Sequence, residues 1–251
     1  IEVDHDATQR LIEVAEETLG DLLQVRLNTR WFPTLGLTST LAYLRGMEQI
    51  MFDMIDSPEI IHRMMSFLSE SYVKMLDFLE DNHLLTLNND GTYVGQGGFG
   101  WSNELPQADF SGHVRLCDLW GNAESQETVG VSPGMFDEFV FPYQARVLER
   151  FGLNCFGCCE PLDKRWHVVE KIPRLRRVSV SPWSDLSSMA EKLGDRYVFS
   201  MKPPPSDLAM PTLDEEGIRS ALREAFRITR CCRVEVVMKD NHTLRGEPGR
   251  A

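Results

Sequence analysis

Residues 153–202 read LNCFGCCEPLDKRWHVVEKIPRLRRVSVSPWSDLSSMAEKLGDRYVFSMK, and this stretch decides the fold class. Short apolar and β-branched runs at residues 153–156, 178–180 and 197–201 predict strands. Between them, helical spacing of apolar residues around 164–171 and up to Leu193 predicts the connecting helices. Strands that alternate with helices at this spacing indicate parallel βαβ units.

The same alternation extends in both directions from this stretch. A strand is predicted at residues 114–119 and is followed by a helix over residues 132–150. On the other side, a helix over residues 213–229 leads to a last strand at residues 234–238. Five strands with four intervening helices therefore predict a parallel sheet.

The first 90 residues are predicted to be mostly helical. Apolar residues recur at helical spacing over residues 7–19. They do so again in a longer stretch that begins at Ser57 and Pro58, a typical helix start, and ends at about residue 82. Residues 89–100 hold five glycines but no lysine, which favours a flexible loop over a phosphate cradle. We interpret the chain as one domain, residues 1–251, with a helical part over about 1–90 and β/α repeats over about 114–251.

The composition argues against several classes of protein. The 251 residues include 26 basic and 38 acidic side chains, and the formal net charge of −12 disfavours nucleic acid and anionic membranes as partners. No uncharged apolar stretch has the length of a membrane helix, and nothing resembles a signal peptide, so we expect a cytoplasmic protein. The six cysteines are sparse and are expected to be reduced thiols.

Side chains suited to chemistry follow each predicted strand. They are Trp120, Asn122, Glu124, Cys158, Cys159, Glu160, Trp183, Asp185, Lys202, Asp240 and His242. In a (β/α)8 barrel the loops after the strands gather on one face, which holds the active site, whereas a doubly wound sheet binds ligands at a switch point. No dinucleotide fingerprint follows any strand, so we expect an α/β fold of the (β/α)8 TIM-type barrel class. Because the chain begins at Ile1, we expect part of the barrel's N-terminal region to lie outside it.

Cys158, Cys159 and His242 are the candidate metal ligands. Thiolate and imidazole are preferred zinc ligands, and a catalytic zinc needs three protein ligands and one open position. Asp240, two residues before His242, would accept a hydrogen bond from the imidazole and fix its orientation. The alternative is that the two cysteines are small buried packing residues.

The other candidates divide by chemistry. Carboxylates suited to acid–base work or ligation are Glu124, Glu160 and Asp240. The candidate substrate-binding residues are Trp120, Asn122, Trp183 and Lys202. The two tryptophans would wall an apolar pocket, or would instead cap the core.

Short motifs are scattered from about residue 31 to the end of the chain. They are YLRGME at 43–48, DSPEIIH at 56–62, CDLW at 117–120, SPGMFDEF at 132–139 and DNHT at 240–243. Together they resemble the uroporphyrinogen decarboxylase superfamily. The resemblance implies a (β/α)8 barrel and one of two chemistries. These are decarboxylation of tetrapyrrole acetate arms without a cofactor, and methyl transfer to or from a corrinoid with zinc held by a His-x-Cys motif and a later cysteine. Here Gly157-Cys158-Cys159 stands at the His-x-Cys place and His242 at that of the later cysteine.

The charge of the predicted loops favours methyl transfer. A decarboxylase of a polyanionic porphyrinogen needs several basic side chains, but the loops carry Lys202, Lys239 and Arg245 beside four acidic residues: Glu124, Glu160, Asp185 and Asp240. We expect a methyltransferase that moves a methyl group between a small methylated substrate or thiol and the corrinoid (cobalamin) of a partner protein, with zinc activating the acceptor or the leaving group. Two alternatives remain open: a decarboxylase of the uroporphyrinogen type, and a non-catalytic barrel that binds a corrinoid or another small ligand.

Overall fold

The computed structural model describes residues 2–29, 31, 34–95, 98–238 and 240–250, so Lys239 lies outside the described residues. The helices are α1 (His5–Leu19), α2 (Thr38–Arg45), α3 (Met47–Asp56), α4 (Pro58–Asp81), α5 (Pro133–Phe139), α6 (Phe141–Leu148), α7 (Trp166–Val169), α8 (Leu186–Leu193), α9 (Ser206–Ala209) and α10 (Glu215–Ile228). Among the described residues, no helix combines the length and the apolar character that a membrane span requires.

The centre of the molecule is a five-stranded parallel sheet. Its strands are β3 (Trp120–Ala123), β4 (Leu153–Phe156), β5 (Leu175–Val180), β6 (Val198–Met201) and β7 (Arg233–Val236). They lie side by side in the order of the chain, and each pairs in parallel with the next. The α/β class predicted from residues 153–202 is therefore confirmed. The sequential order also differs from a doubly wound sheet, whose strand order reverses at a switch point.

The two faces of this sheet have opposite character, because successive side chains of a strand point to opposite sides. One face carries apolar residues such as Phe156, Val178 and Phe199, which belong to the main core together with residues of the helices. The other face carries Asn122, Cys155, Arg177, Ser179, Ser200 and Glu235, which are neighbours in the strand register. We call this second surface the polar face.

A glycine-rich hairpin covers part of the polar face. Strands β1 (Asp90–Gly95) and β2 (Gly98–Trp101) pair antiparallel, so the expectation of a flexible loop over residues 89–100 is wrong for the described residues there. Gly95 packs against the Asn122 amide, and the Arg177 guanidinium donates to the Phe99 carbonyl. The absence of side chains at the glycines lets the hairpin backbone approach the sheet closely.

The free edge of β3 is paired by segments from the first third of the chain. The Asn88 side chain accepts a hydrogen bond from the Trp120 N–H at 2.9 Å and donates to the Trp120 carbonyl at 3.0 Å. Further along, the Leu35 N–H donates to the Asn122 carbonyl at 2.9 Å. A strand edge with unpaired backbone groups is thereby satisfied by a side-chain amide and by a neighbouring backbone.

Some predicted boundaries need correction. The strand expected at residues 114–119 is a turn that contains a 3-10 segment, Leu116–Asp118, and the observed strand begins only at Trp120. The turn forms because the Asp118 carboxylate accepts hydrogen bonds from the backbone N–H groups of Gln107 and Arg115. The helix expected over residues 132–150 is two helices that break at Val140, since Pro142 lacks an N–H for a continuous helix. Helix α4 does begin at Pro58, but the Ser57 side chain makes no capping hydrogen bond.

We predict that Gly95→Ala destabilises the protein by about 1–3 kcal/mol, because its Cβ would clash with the Asn122 amide under the hairpin. The free energy of unfolding, measured by urea denaturation, is the readout. Gly130→Ala is the matched control, since a Cβ at Gly130 meets no atom within 4 Å and should leave stability nearly unchanged. Equal stability of the two variants would contradict the packing of the hairpin on the sheet.

Candidate functional site

The candidate site is formed by the loops that follow β3 and β4. Parallel neighbours end at the same edge of a sheet, so Glu124 and Glu160 are brought together although 36 positions separate them in the sequence. Gly157 makes the turn after β4 with a φ of 98°, a left-handed conformation that favours glycine. Both glutamates are buried, with 2% and 0% of their surface exposed.

Glu160 ties the two loops to each other. One of its carboxylate oxygens accepts from the Ser125 N–H at 2.8 Å, and the other accepts from the Cys158 N–H at 2.8 Å. The Cys158 carbonyl in turn accepts from the Ser179 hydroxyl at 3.1 Å. Because both oxygens of Glu160 are engaged by backbone amides, its position suits an orienting role for the cysteine loop more than proton transfer.

Glu124 belongs to a cluster of three acidic side chains. Burial, followed by the charges of Glu127 and Glu160, raises the pKa of Glu124 to about 8. One of its oxygens accepts from the Gln126 N–H at 3.1 Å, which only partly offsets the burial. Glu124 is therefore protonated at neutral pH and can donate or hold a proton, as a general acid requires.

Arg165 supplies positive charge close to this acidic cluster. It is buried, donates to the carbonyls of Thr128 and Val131, and interacts electrostatically with Glu160. Burial raises the pKa of Glu160, and the backbone hydrogen bonds and the Arg165 charge oppose that rise. Sequence reasoning missed Arg165 because it lies seven residues after Cys158, in the turn before α7, where an arginine is ordinarily a surface residue.

The two cysteines and the C-terminal segment meet at this site. Cys158 is buried and Cys159 is exposed, and their sulfur atoms lie 3.5 Å apart. The Cys159 sulfur lies 3.8 Å from a carboxylate oxygen of Asp240, which is 81 positions later in the chain. The structure thus brings together a thiol from the middle of the chain and a side chain from its last segment, and that side chain is Asp240.

His242 is exposed, and no hydrogen bond or ion pair joins it to another described residue. Two thiolates bound to one tetrahedral zinc at about 2.3 Å would lie about 3.8 Å apart, so the two sulfur atoms suit such an ion. Among the described residues, however, no three His, Cys, Asp or Glu side chains are grouped to hold a metal ion. A third ligand would have to come from rotation of an exposed side chain, and Asp240 is the one already beside Cys159.

An open cleft of about 640 Å³ gives access to the Cys159 thiol. Its lining includes Cys159, Glu160, Glu127 and Trp183. Trp183 is 77% exposed, so it does not cap the core, and it lines the cleft. The charged residues that line the cleft are acidic.

The remaining predicted substrate-binding residues lie elsewhere. Trp120 and Asn122 are residues of β3 itself and not of the loop after it, and they point to the polar face. Lys202 follows β6, is buried, and donates to the Ser200 hydroxyl. None of these three lines the cleft beside Cys159.

Sequence reasoning also missed the charged pair on the polar face. Arg177 Nε lies 2.9 Å from Glu235 Oε1, the guanidinium donates to the Cys155 sulfur at 3.4 Å, and it stacks 5.2 Å from the centre of the Trp120 ring. Burial raises the pKa of Cys155 to about 11, so this cysteine stays a thiol. For Glu235 the signal was a charged residue among apolar ones in the predicted strand 234–238, whereas Arg177 lies just before the predicted strand 178–180.

We predict that Glu124→Gln makes stability less dependent on pH. A carboxyl whose pKa is raised by folding binds its proton more tightly in the folded state, so this group lowers the free energy of unfolding as pH rises from about 4.5 to about 8. The neutral amide removes this loss. Relative to the wild type, the variant should gain on the order of a few kcal/mol across that window, measured by urea denaturation. The exposed Glu149→Gln variant is the control. Parallel pH profiles for all three proteins would contradict the assignment.

No protein-family model matches this chain, and searches of the curated proteins and of the solved structures find no match either.

Proposed function

We propose that this chain is a methyltransferase built on a (β/α)8 barrel. In this proposal it moves a methyl group between a small methylated substrate or thiol and a corrinoid carried by a partner protein. A zinc ion bound at Cys158 and Cys159, when present, activates the thiol acceptor or the leaving group of the methyl donor. The six cysteines are free, which suits the reducing cytoplasm as the location.

The order of the strands and the segments beside β3 support the barrel. A sheet whose strands follow one another in chain order is the pattern of a singly wound barrel. Beyond the edge of β3, Thr29 and Trp31 contact the segment at residues 84–86: the Trp31 indole donates to the Leu84 carbonyl at 2.7 Å, and the Thr29 N–H donates to the Thr86 hydroxyl at 3.1 Å. In this proposal these two segments stand for the barrel strands that would precede β3.

The observation that carries the proposal is the approach of the tail to the cysteine pair. The sulfur atoms of Cys158 and Cys159 are 3.5 Å apart, and the Asp240 carboxylate is 3.8 Å from Cys159. All three lie after the carboxyl ends of parallel strands, where enzymes with such sheets carry out their chemistry. Two thiolates and a carboxylate are ligands of zinc. In this proposal Asp240, after rotation toward the ion, takes the role for which the sequence had suggested His242.

The charge of the cleft favours methyl transfer over the decarboxylase alternative. A porphyrinogen brings several carboxylates, which need basic partners, whereas the charged residues lining the cleft are Glu127 and Glu160. A buried basic residue of the polar face, Arg177, already pairs with Glu235, and the buried Lys202 donates to the Ser200 hydroxyl. This arrangement accommodates a cation or a neutral methyl donor better than a polyanion.

The chain's own residues would hold the metal-binding cysteines in place. Glu160 fixes the Cys158 N–H and Ser179 fixes its carbonyl, so the backbone of the first cysteine is held on both sides. Cys159 is exposed and is accessible to a partner protein that docks at the carboxyl ends of the strands. Because Glu124 is protonated at neutral pH, the cluster of Glu124, Glu127 and Glu160 does not carry three negative charges, and Glu124 can donate its proton.

We predict that protein loaded with zinc and freed of excess metal holds about one zinc ion per chain. Cys158→Ala and Cys159→Ala should each weaken zinc affinity by at least about 100-fold, since loss of even an outer-shell partner costs about 10–100-fold. Elemental analysis after dialysis gives the stoichiometry, and charge-transfer absorption of the cobalt-substituted protein reports sulfur ligation independently of activity.

Three further variants sharpen this test. Cys231→Ala is the matched control, because Cys231 is an exposed member of the other adjacent cysteine pair. Asp240→Ala and His242→Ala decide between the two tail residues, and we expect only the aspartate variant to lose zinc. Wild-type protein that holds no zinc, or that keeps its zinc in both cysteine variants, would contradict the proposal.

Methyl transfer itself can be assayed with free methylcobalamin as the donor and small thiols as acceptors. We expect demethylation, followed by the visible absorbance of methylcobalamin, to depend on zinc and to be lost in Cys159→Ala while Cys231→Ala keeps it. If the zinc-loaded protein leaves methylcobalamin intact with every thiol tested, the site binds metal for another purpose and the methyltransferase assignment fails.

A further inference from the structure

A second cavity lies on the polar face, between the hairpin and the N-terminal segments. It measures about 350 Å³, within the range of small-molecule sites, and shares no lining residue with the cleft beside Cys159. Trp120 and Asn122 of β3, Tyr93 and Val94 of β1, and Trp31 contribute to its wall. It is therefore a separate site and does not depend on the proposed methyl transfer.

Two side chains in this wall have polar atoms without a hydrogen-bond partner among the described residues. Both polar atoms of the Asn122 amide are buried and make no hydrogen bond to the described residues, and the same is true of the Trp120 indole N–H. Asn122 is 4% exposed and Trp120 is 3% exposed. Buried polar groups in folded proteins are nearly always hydrogen-bonded, so three unpaired atoms on one cavity wall point to a ligand.

The hairpin backbone explains why the Asn122 amide is not satisfied from within the protein. Gly95 packs directly on this amide and presents no side chain to it. In the strand register the neighbour of Asn122 is Cys155, a thiol that already accepts from Arg177. The amide therefore has one donor group and one acceptor oxygen that no described residue engages.

The chemistry of the wall defines the ligand class. None of the described residues that line the cavity is Asp, Glu, Lys, Arg or His, so a charged ligand would lose its hydration without compensation. The Asn122 amide complements a group that offers an acceptor and a donor side by side, and the indole N–H adds a donor. Aromatic walls from Trp31, Tyr93 and Trp120 suit a planar molecule.

We propose that this cavity binds a small, neutral, planar molecule with a carboxamide or lactam edge, which pairs with Asn122 and accepts from the Trp120 indole. Benzamide is the probe, and benzoate and toluene are its charged and apolar counterparts of similar size. Benzamide should bind in the millimolar range expected for a fragment, and benzoate at least tenfold more weakly.

The measurement is a titration followed by ¹⁵N–¹H correlation spectra of the indole region. The chain has five tryptophans, and the resonance lost in Trp120→Phe identifies the Trp120 N–H. Benzamide should shift this resonance downfield because the indole gains an acceptor, whereas toluene should not produce that shift. Asn122→Leu, which keeps the size of the side chain and removes both polar atoms, should weaken benzamide binding about tenfold.

A control variant and a second use of the Trp120→Phe variant keep the test decisive. Asn241→Leu, an exposed residue of the C-terminal segment, is the matched control and should bind benzamide like the wild type. Should Asn122→Leu fail to fold, Trp120→Phe gives the same answer, since it removes one donor, keeps an aromatic ring and is expected to weaken benzamide binding severalfold. Its titration is followed by the remaining indole resonances, because Trp31 also lines the cavity. The inference is overturned if benzamide leaves the Trp120 indole resonance unmoved, if benzoate binds as well as benzamide, or if both cavity variants bind benzamide with wild-type affinity. Zinc binding at Cys158 and Cys159 is measured in the same samples, so failure here is distinguishable from failure of the metal site.

Discussion

The pleat of the parallel sheet is the constraint on which this structure depends. Alternate side chains must leave a strand on opposite sides, so each strand supplies one row of residues to the helices and another to the opposite face. Phe156, Val178 and Phe199 fill the first role and join the main core. The second row is polar and buried, which is costly unless its groups find partners. The Arg177–Glu235 pair, the Lys202–Ser200 hydrogen bond and the glycine hairpin are the means by which this polar face is satisfied and covered.

The same geometry separates two places where chemistry can occur. At the carboxyl ends of β3 and β4, a hydrogen-bonded carboxylate, Glu160, joins two loops and positions an adjacent thiol pair that the C-terminal segment approaches. On the polar face, the close approach of the hairpin to β3 leaves a cavity whose wall holds an amide and an indole N–H that no residue in the described part of the chain pairs. The first place is acidic and holds soft ligands, whereas the second is uncharged and aromatic. Two sites of such different character are suited to different ligands.

Much of the α/β part was predictable from local pattern. The strand at Leu153–Phe156 has the predicted bounds, and those after it differ by one to three residues, because apolar β-branched runs between turn residues leave few other conformations. The prediction failed where a side chain overrode the pattern. Asp118 accepts backbone hydrogen bonds and turns residues 116–118 away from the strand expected there, and Pro142 splits a helix that hydrophobic spacing alone makes continuous.

For the site, the sequence by itself determined which kinds of group follow each strand: two glutamates, two cysteines and an acidic tail residue, since parallel strands carry their loops to one edge. Only the tertiary structure decided which of these groups meet. Asp240 approaches Cys159, Glu160 is engaged by backbone amides, and Trp120 and Asn122 turn to the polar face. Such contacts join residues up to 81 positions apart. Their distances depend on the register of the strands and on the residue at which each turn ends, because a shift by one residue moves a side chain to the other face of the sheet. Local sequence does not encode those quantities, because they follow from the packing of the whole sheet.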